Sequence, residues 1–230
     1  MKSQRSDNRE SQMHVLRYIP NPASVQEADW ETLSELLVKP CVGHVDRVGA
    51  RVDQMRVLVA YYTETGNTEK VAKAIYEEAS KKHEASLKSV GEVAVSSLND
   101  YDVVFIGSAC HSTDLATPVK RLLDAIPPSP EFKLAGFFTH ATSTAGFHRW
   151  ASKCISSFQN TSRERQVDFG GYYNCQGVPS PPVQEFIKRE AIASADKYEE
   201  YLEEVRKHPS PEDLQKAREF AREVLSWAQE

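Results

Sequence analysis

Six polar residues, Thr63-Glu64-Thr65-Gly66-Asn67-Thr68, stand between two apolar segments and have the composition of an anion-binding turn. They follow the apolar run 57–61 and precede residues that recur at helical spacing, beginning with Val71 and Ile75. The first N–H groups of a helix lack intrahelical partners and lie at the positive end of its dipole. The glycine lets the backbone approach a ligand closely, and the Thr and Asn side chains add hydrogen-bond donors. Because the turn has no Lys or Arg, we expect the anion to be held mainly by hydrogen bonds.

Two other phosphate-binding patterns are absent from the sequence. It contains no G-x-x-x-x-G-K-[ST], which excludes a P-loop, and no G-x-G-x-x-G follows the apolar run, which excludes a dinucleotide fingerprint. A polar turn that binds nothing is the alternative to the anion site.

Two further polar segments follow apolar runs that read as buried strands: Ser108-Ala109-Cys110-His111 and Thr139-His140-Ala141-Thr142. The carboxyl ends of parallel strands meet at one edge of a sheet, so both segments should lie beside the anion turn. Cys110 is either a reactive thiol beside the ligand or, as we favour, a small packing residue. His111 lies near the ligand or in solvent. His140 and His148 could transfer protons, but we favour structural or surface roles for both.

A fourth segment, Tyr172 to Ser180, is predicted beside the site at the end of the last strand. Its two tyrosines either cover a ligand or, as we favour, belong to the core.

Apolar runs alternate with helical patterns along the chain, which predicts an α/β protein with a parallel sheet covered on both faces. The predicted strands are 55–62, 85–90, 102–107, 133–139 and 166–173. The predicted helices are 67–82, 117–126, a stripe over 147–158, two helices between 180 and 205, and a last helix that starts at Ser210.

Residues Thr63 to Thr68 resemble the phosphate-binding loop of flavodoxins, and Tyr101 to Ser108 is similar to their third-strand segment. The resemblance covers about 55–225 and implies a flavodoxin-like, doubly wound, five-stranded parallel sheet in the order 2-1-3-4-5. It implies non-covalently bound FMN, with the phosphate on the first turn and the isoalloxazine ring between the two later segments. The cofactor-binding residues implied are Thr63, Glu64, Thr65, Gly66, Asn67, Thr68, Ser108, Ala109, Cys110, His111, Thr139, His140, Ala141 and Thr142.

The chain departs from the family pattern at the ring. Ala109 replaces a proline that many relatives carry, and the Gly-Asp and ring-stacking Tyr of electron-carrier flavodoxins are missing from the segment that begins at Thr139. The loop at Ala109 should therefore be less stiff, because proline would fix φ.

The domain prediction has two parts. Residues 1–54 form an N-terminal extension, with a disordered tail over 1–12 and a short helix over about 27–38. Residues 55–230 form the flavodoxin-like domain, with extra C-terminal helices that include a helical insertion at about 181–207.

Composition restricts the setting and the partners. A net charge of -5 gives no electrostatic case for nucleic acid. The first ten residues lack the apolar core of a signal peptide, and no apolar run approaches the ~20 residues needed to span a bilayer. We therefore expect a cytoplasmic protein without membrane insertion and with reduced thiols. The four scattered cysteines show no metal spacing, and we expect no disulfide.

Three functions fit the sequence. The first is an FMN-binding electron carrier that passes electrons between a reductase and an acceptor protein. The second is an FMN-dependent NAD(P)H:acceptor oxidoreductase of the quinone type, with the extension and the insertion building a pocket or a homodimer interface. The third is a flavodoxin-like interaction module without flavin, which the intact anion turn argues against.

Overall fold

A computed structural model of the chain describes residues 54–142, 147–192 and 194–230. The predicted tail over 1–12 and the predicted helix over 27–38 lie outside the described residues.

The described residues contain a sheet of five parallel strands and one short antiparallel strand. In chain order the strands are β1 (Arg56–Tyr61), β2 (Glu84–Ser89), β3 (Val103–His111), β4 (Asp114–Leu115), β5 (Lys133–His140) and β6 (Phe169–Gln176). The parallel strands lie in the order β2-β1-β3-β5-β6. The predicted order 2-1-3-4-5 is therefore confirmed, with β5 and β6 as its fourth and fifth strands.

Helices cover both faces of this sheet. In chain order, the α-helices of the described residues are α1 (Asn67–Ala79), α2 (Thr117–Ala125), α3 (Phe147–Trp150), α4 (Ser152–Arg165), α5 (Pro181–Phe186), α6 (Ala195–Val205) and α7 (Pro211–Ala228). Alternate strand residues point to opposite faces, so Val57 and Val59 pack with α1 and α7, whereas Leu58 and Ala60 pack with α2 and α4. This two-sided burial explains why the strands are continuous apolar runs.

The last helix, α7, begins at Pro211 as predicted. Ser210 and Asp213 form a reciprocal capping box at its start. Its buried stripe, which includes Phe220 and Val224, packs on the same sheet face as α1.

Strands β3 and β6 depart most from the predicted bounds, and β6 ends at Gln176 instead of Tyr173. Strand β3 continues through Ser108 to His111, because Cys110 and His111 pair with β4 in a hairpin that the apolar pattern did not predict. Strand β6 begins at Phe169 instead of Gln166, because Gln166 has a φ of 53° and ends α4 in the left-handed conformation.

Helices α5 and α6 follow β6, with a π-helix at Ile187–Ala191 between them. Helix α6 carries a small apolar cluster of Tyr198, Leu202 and Val205, against which Ile187 packs. Helices α5 and α6 are the extra C-terminal helices of the prediction; the assignment of 181–207 as an insertion stays a prediction. Within the described ranges, no helix combines the length and apolar character needed to cross a membrane.

Candidate functional site

A cleft lies at the carboxyl ends of β1, β3, β5 and β6, beside the first turn of α1. Three predicted segments contribute to its lining, with Glu64, Thr65, Asn67, Ala109, Cys110, His111, Thr139, His140 and Ala141. The segment after β6 completes it with Gly177, Val178, Pro179, Ser180 and Val183.

The turn between β1 and α1 has the geometry of an anion site. Gly66 adopts a φ of 82°, which favours glycine, and its N–H donates to the Thr63 hydroxyl oxygen at 3.0 Å. The first intrahelical bond runs from the Lys70 N–H to the Gly66 carbonyl. No side chain of the described residues caps α1 at this residue. The N–H groups of its first turn can therefore bind a phosphate.

Two side chains of this turn bind other parts of the protein, which the sequence analysis did not predict. The Asn67 amide nitrogen donates to the Thr65 hydroxyl oxygen and to the Val178 carbonyl, each at 2.7 Å. The buried hydroxyls of Thr68 and Thr139 lie 2.9 Å apart. Both side chains therefore order the turn, and the backbone is the main source of donors for an anion.

The turn between β1 and α1 is the first wall of the cleft, and the end of β3 is the second. Ala109, Cys110 and His111 line the cleft, whereas the buried Ser108 hydroxyl accepts from the Ala116 N–H at 2.9 Å at the start of α2. Ser108 therefore holds α2 against β3 and does not line the cleft.

An acidic group joins the first two walls at the rim of the cleft. The Glu64 Oε1 accepts a hydrogen bond from the Tyr62 hydroxyl at 3.2 Å, and the Glu64 Oε2 lies 3.4 Å from His111 Nε2. The Glu64 carboxylate is therefore directed to the rim at His111.

His140 is a buried, neutral histidine of the third wall. Burial lowers its pKa to about 4. Its Nε2 lies 3.1 Å from the Asn174 amide oxygen, and its Nδ1 lies 3.0 Å from the Thr142 hydroxyl. A neutral ring that donates through Nε2 and accepts at Nδ1 satisfies both partners. This favours the structural role that we predicted for His140.

The loop that follows β5 is held through its carbonyl groups. The Gly177 N–H donates to the His140 carbonyl at 2.9 Å, and the Tyr201 hydroxyl of α6 donates to the Ala141 carbonyl at 2.8 Å. The Gln176 side chain donates to the Thr142 carbonyl at 2.8 Å. These three bonds fix the third wall from β6 and α6; residues 143–146 and the His148 side chain lie outside the described part.

Nine of the fourteen predicted binding residues line the cleft. The other five are adjacent to it in the chain: Thr63, Gly66, Thr68, Ser108 and Thr142. We predicted Gly177 to Ser180 beside the site but did not count these residues, or Val183, as binding residues. The sequence signal that could have identified them as binding residues was their position after the last strand.

The family follows from a comparison of the whole domain. A sequence model of the flavodoxin domain family matches residues 58–222, which is most of the chain. The chain belongs to the flavodoxin domain family. The three walls of the cleft thus lie within the matched flavodoxin domain.

Two relatives match over nearly their whole length. An uncharacterized protein of Methanocaldococcus jannaschii is 25% identical over 172 residues, which are 74% of this chain and 99% of that protein. The flavodoxin-like domain-containing protein BilS of Clostridioides difficile is 26% identical over 180 residues, covering 74% and 97% of the two chains.

Solved flavodoxins share the fold at low identity. Flavodoxin 2 of Bacillus cereus superposes with a TM-score of 0.54 at 18% identity, covering 75% of this chain and 99% of that chain. A short-chain flavodoxin associated with a bacterial microcompartment gives a TM-score of 0.56 at 11% identity, covering 76% and 99%. These likenesses confirm the predicted flavodoxin-like fold.

The residues of this flavodoxin domain fit a flavin phosphate. Thr65 and Asn67 flank the uncapped start of α1, and the described residues that line the cleft include no Lys or Arg. The Cβ that another residue would have at Gly177 would lie 2.7 Å from Asn67 Cγ, so only glycine lets the β6 segment lie against this turn. The flavin chemistry of the family thus has a matching cleft here.

Proposed function

We propose that this protein is an FMN-binding electron carrier. The observation that carries the proposal is the convergence of the ends of β1, β3, β5 and β6 on the uncapped start of α1. The backbone N–H groups of 67–69 would hold the phosphate, and the ring would lie between Ala109–His111 and Thr139–Ala141. The bound flavin supplies the electron transfer, and the protein supplies position and electrostatics.

The carrier role is supported by the apolar rim beside the cleft. Val183 lines the cleft and is 41% exposed, and Phe186 in the same helix is 42% exposed. Large apolar side chains that stay exposed beside a binding site are typical of surfaces for protein partners. We propose that a reductase and an acceptor protein dock at this rim.

The phosphate assignment is tested by charge at one position. Thr65→Asp places a carboxylate beside the proposed phosphate, and the matched Thr65→Asn is neutral and of the same size. We expect Thr65→Asp to weaken FMN binding at least about tenfold more than Thr65→Asn does. Riboflavin, which lacks the phosphate, should bind both variants with similar affinity. Equal losses for FMN and riboflavin in the Asp variant would contradict the phosphate assignment.

Anaerobic reduction distinguishes the carrier from an enzyme. The FMN-loaded protein should show a semiquinone during photoreduction and should not be bleached by NADH or NADPH alone. Rapid bleaching by either nucleotide would identify an FMN-dependent oxidoreductase. A protein that binds no flavin in titrations would leave the interaction module as the function.

A further inference from the structure

A buried carboxylate lies behind the second wall of the cleft. Asp114 belongs to the short strand β4 and has 6% of its surface exposed. The antiparallel partners of β4 are at the end of β3, where His111 pairs with Asp114 and Cys110 pairs with Leu115. Cys110 and His111 line the cleft. The position of this wall is therefore coupled to the position of β4.

Four groups contact the Asp114 carboxylate, and they come from β4, α2 and α4. Its Oδ1 accepts from the Ser157 hydroxyl of α4 at 2.5 Å and from the Leu115 N–H at 2.8 Å. Its Oδ2 accepts from Lys120 Nζ of α2 at 2.8 Å and lies 3.8 Å from Lys153 Nζ of α4. Burial alone would raise the pKa of Asp114, but the hydrogen bonds from Lys120 and Ser157 hold this pKa below its usual value. The side chain thus stays charged and ties β4 to both helices.

The turn that joins β3 to β4 requires an anchor of this kind. Ser112 and Thr113 at its tip have φ values of 47° and 77°. Left-handed conformations are unfavourable for these residue types and persist only where the surrounding structure fixes them. Strand β4 has only two residues, so its ladder with β3 is too short to fix the turn by itself.

From these contacts we propose that Asp114 is the positioning residue of the second wall, which it fixes, through β4, in the place that a flavin ring needs. The residues that line the cleft do not include Asp114, so it acts through the backbone of β3. The inference rests on the proposed flavin-binding function, because it concerns the wall at which the ring would bind.

The side-chain contacts of His111 are a weaker support for the same wall. Its Nε2 lies 3.4 Å from the Glu64 carboxylate, and its ring packs edge-on against Tyr62 with the ring centroids 5.8 Å apart. The side chains of His111 and Glu64 are 35% and 46% exposed, and ion pairs in contact with solvent contribute little. Breaking a buried ion pair costs far more, so the Asp114 contacts should dominate.

The test combines flavin affinity with hydrogen exchange of the flavin-free protein. Asp114→Asn keeps the size of the side chain and removes its charge. We expect FMN and riboflavin to bind at least about tenfold more weakly, by the same factor for both, because the phosphate turn is unchanged. In the flavin-free protein, amide hydrogen exchange at residues 110–115 should be at least about tenfold faster, with no change in β1.

Glu78→Gln is the matched control. Glu78 is also buried and paired, with Lys81 Nζ at 2.6 Å and Arg222 Nη1 at 3.1 Å, but it lies between α1 and α7. This variant should leave both flavin affinities unchanged, whatever its effect on stability. If Asp114→Asn does not fold, Lys120→Gln replaces it, because the Lys120 side chain is 46% exposed. Lys120→Arg keeps the ion pair and should bind both flavins as wild type does.

Three results would overturn the proposal while wild type binds flavin. They are unchanged exchange at 110–115, faster exchange there with unchanged flavin affinity, and a loss of affinity for FMN that riboflavin does not share. Equal losses of flavin affinity in Glu78→Gln would also overturn it, because they would show a general effect of stability. Wild type that binds neither flavin would overturn the proposed function and this proposal together, and that result is recognised without any variant.

Discussion

The hydroxyl oxygens of Thr68 and Thr139 lie 2.9 Å apart in the buried space between α1 and the end of β5. This bond joins the turn proposed for the phosphate to the wall proposed for the ring. Both groups lie away from water, with 0% and 6% of the residue surface exposed, so each hydroxyl depends on the other.

Removing both of these hydroxyls should destabilise the protein less than the sum of the two single removals. Thr68→Val or Thr139→Val leaves one buried hydroxyl without this partner, and each should lower the free energy of unfolding by about 1–3 kcal/mol. The double variant should lose clearly less than the sum. Denaturant unfolding of the four proteins measures this, and additive losses would show that the two hydroxyls do not interact.

Low pH should destabilise the fold through His140. Its pKa is about 4 in the folded protein and 6.5 without burial, so below pH 6.5 the unfolded chain binds a proton that the folded chain does not. Stability from this group is complete above pH 6.5 and decreases as the pH falls towards 4. At about 1.4 kcal/mol for each pH unit, the loss approaches about 3 kcal/mol.

NMR titration of the His140 ring protons checks this directly, since they should not shift until the pH approaches about 4. His140→Gln should flatten the decline in stability between pH 6.5 and 4, and His111→Gln at the rim serves as the control. A His140 titration midpoint near 6.5 would contradict the prediction.

The hydroxyl of Tyr201 should matter for the flavin ring and not for its phosphate. Tyr201→Phe removes the bond to the Ala141 carbonyl and keeps the aromatic ring, so FMN and riboflavin should both bind about fivefold more weakly. Tyr198→Phe is the control, because that hydroxyl donates to the Gln184 carbonyl within the C-terminal helices. Fluorescence titration measures the affinity for both ligands. A loss of affinity for FMN alone would exclude a role of this hydroxyl at the ring.

A single methyl group at Gly177 should disturb the phosphate turn. The Cβ of Gly177→Ala would lie 2.7 Å from Asn67 Cγ, which forces Asn67 away from the Val178 carbonyl. We expect about 1–3 kcal/mol of lost stability and weaker FMN binding. Gly91→Ala meets no atom within 4 Å and should be nearly neutral. Equal behaviour of the two variants in thermal unfolding would show that the Gly177 approach is not needed.

The buried strands and the turn at Gly66 were predictable from the residues, because the strands are continuous apolar runs and Gly66 lies between a strand and a helix. The strand order was predicted from the resemblance to flavodoxins. The side-chain hydrogen bonds of Asn67 and Thr68 could not be predicted, because their partners, Val178 and Thr139, are distant in sequence.

The hydrogen bond from Tyr201 to Ala141 links the docking of α6 to the binding of a ligand in the cleft. Helix α6 has only a small apolar cluster of its own, and segments with few buried contacts open most readily by local unfolding. If a ligand orders the loop at Ala141, it must also favour the docked position of α6, by the same free energy with which docking favours the ligand. Proteolysis within residues 187–209 therefore becomes slower as the cleft fills, and the C-terminal helices report occupancy without any spectroscopic signal from the ligand.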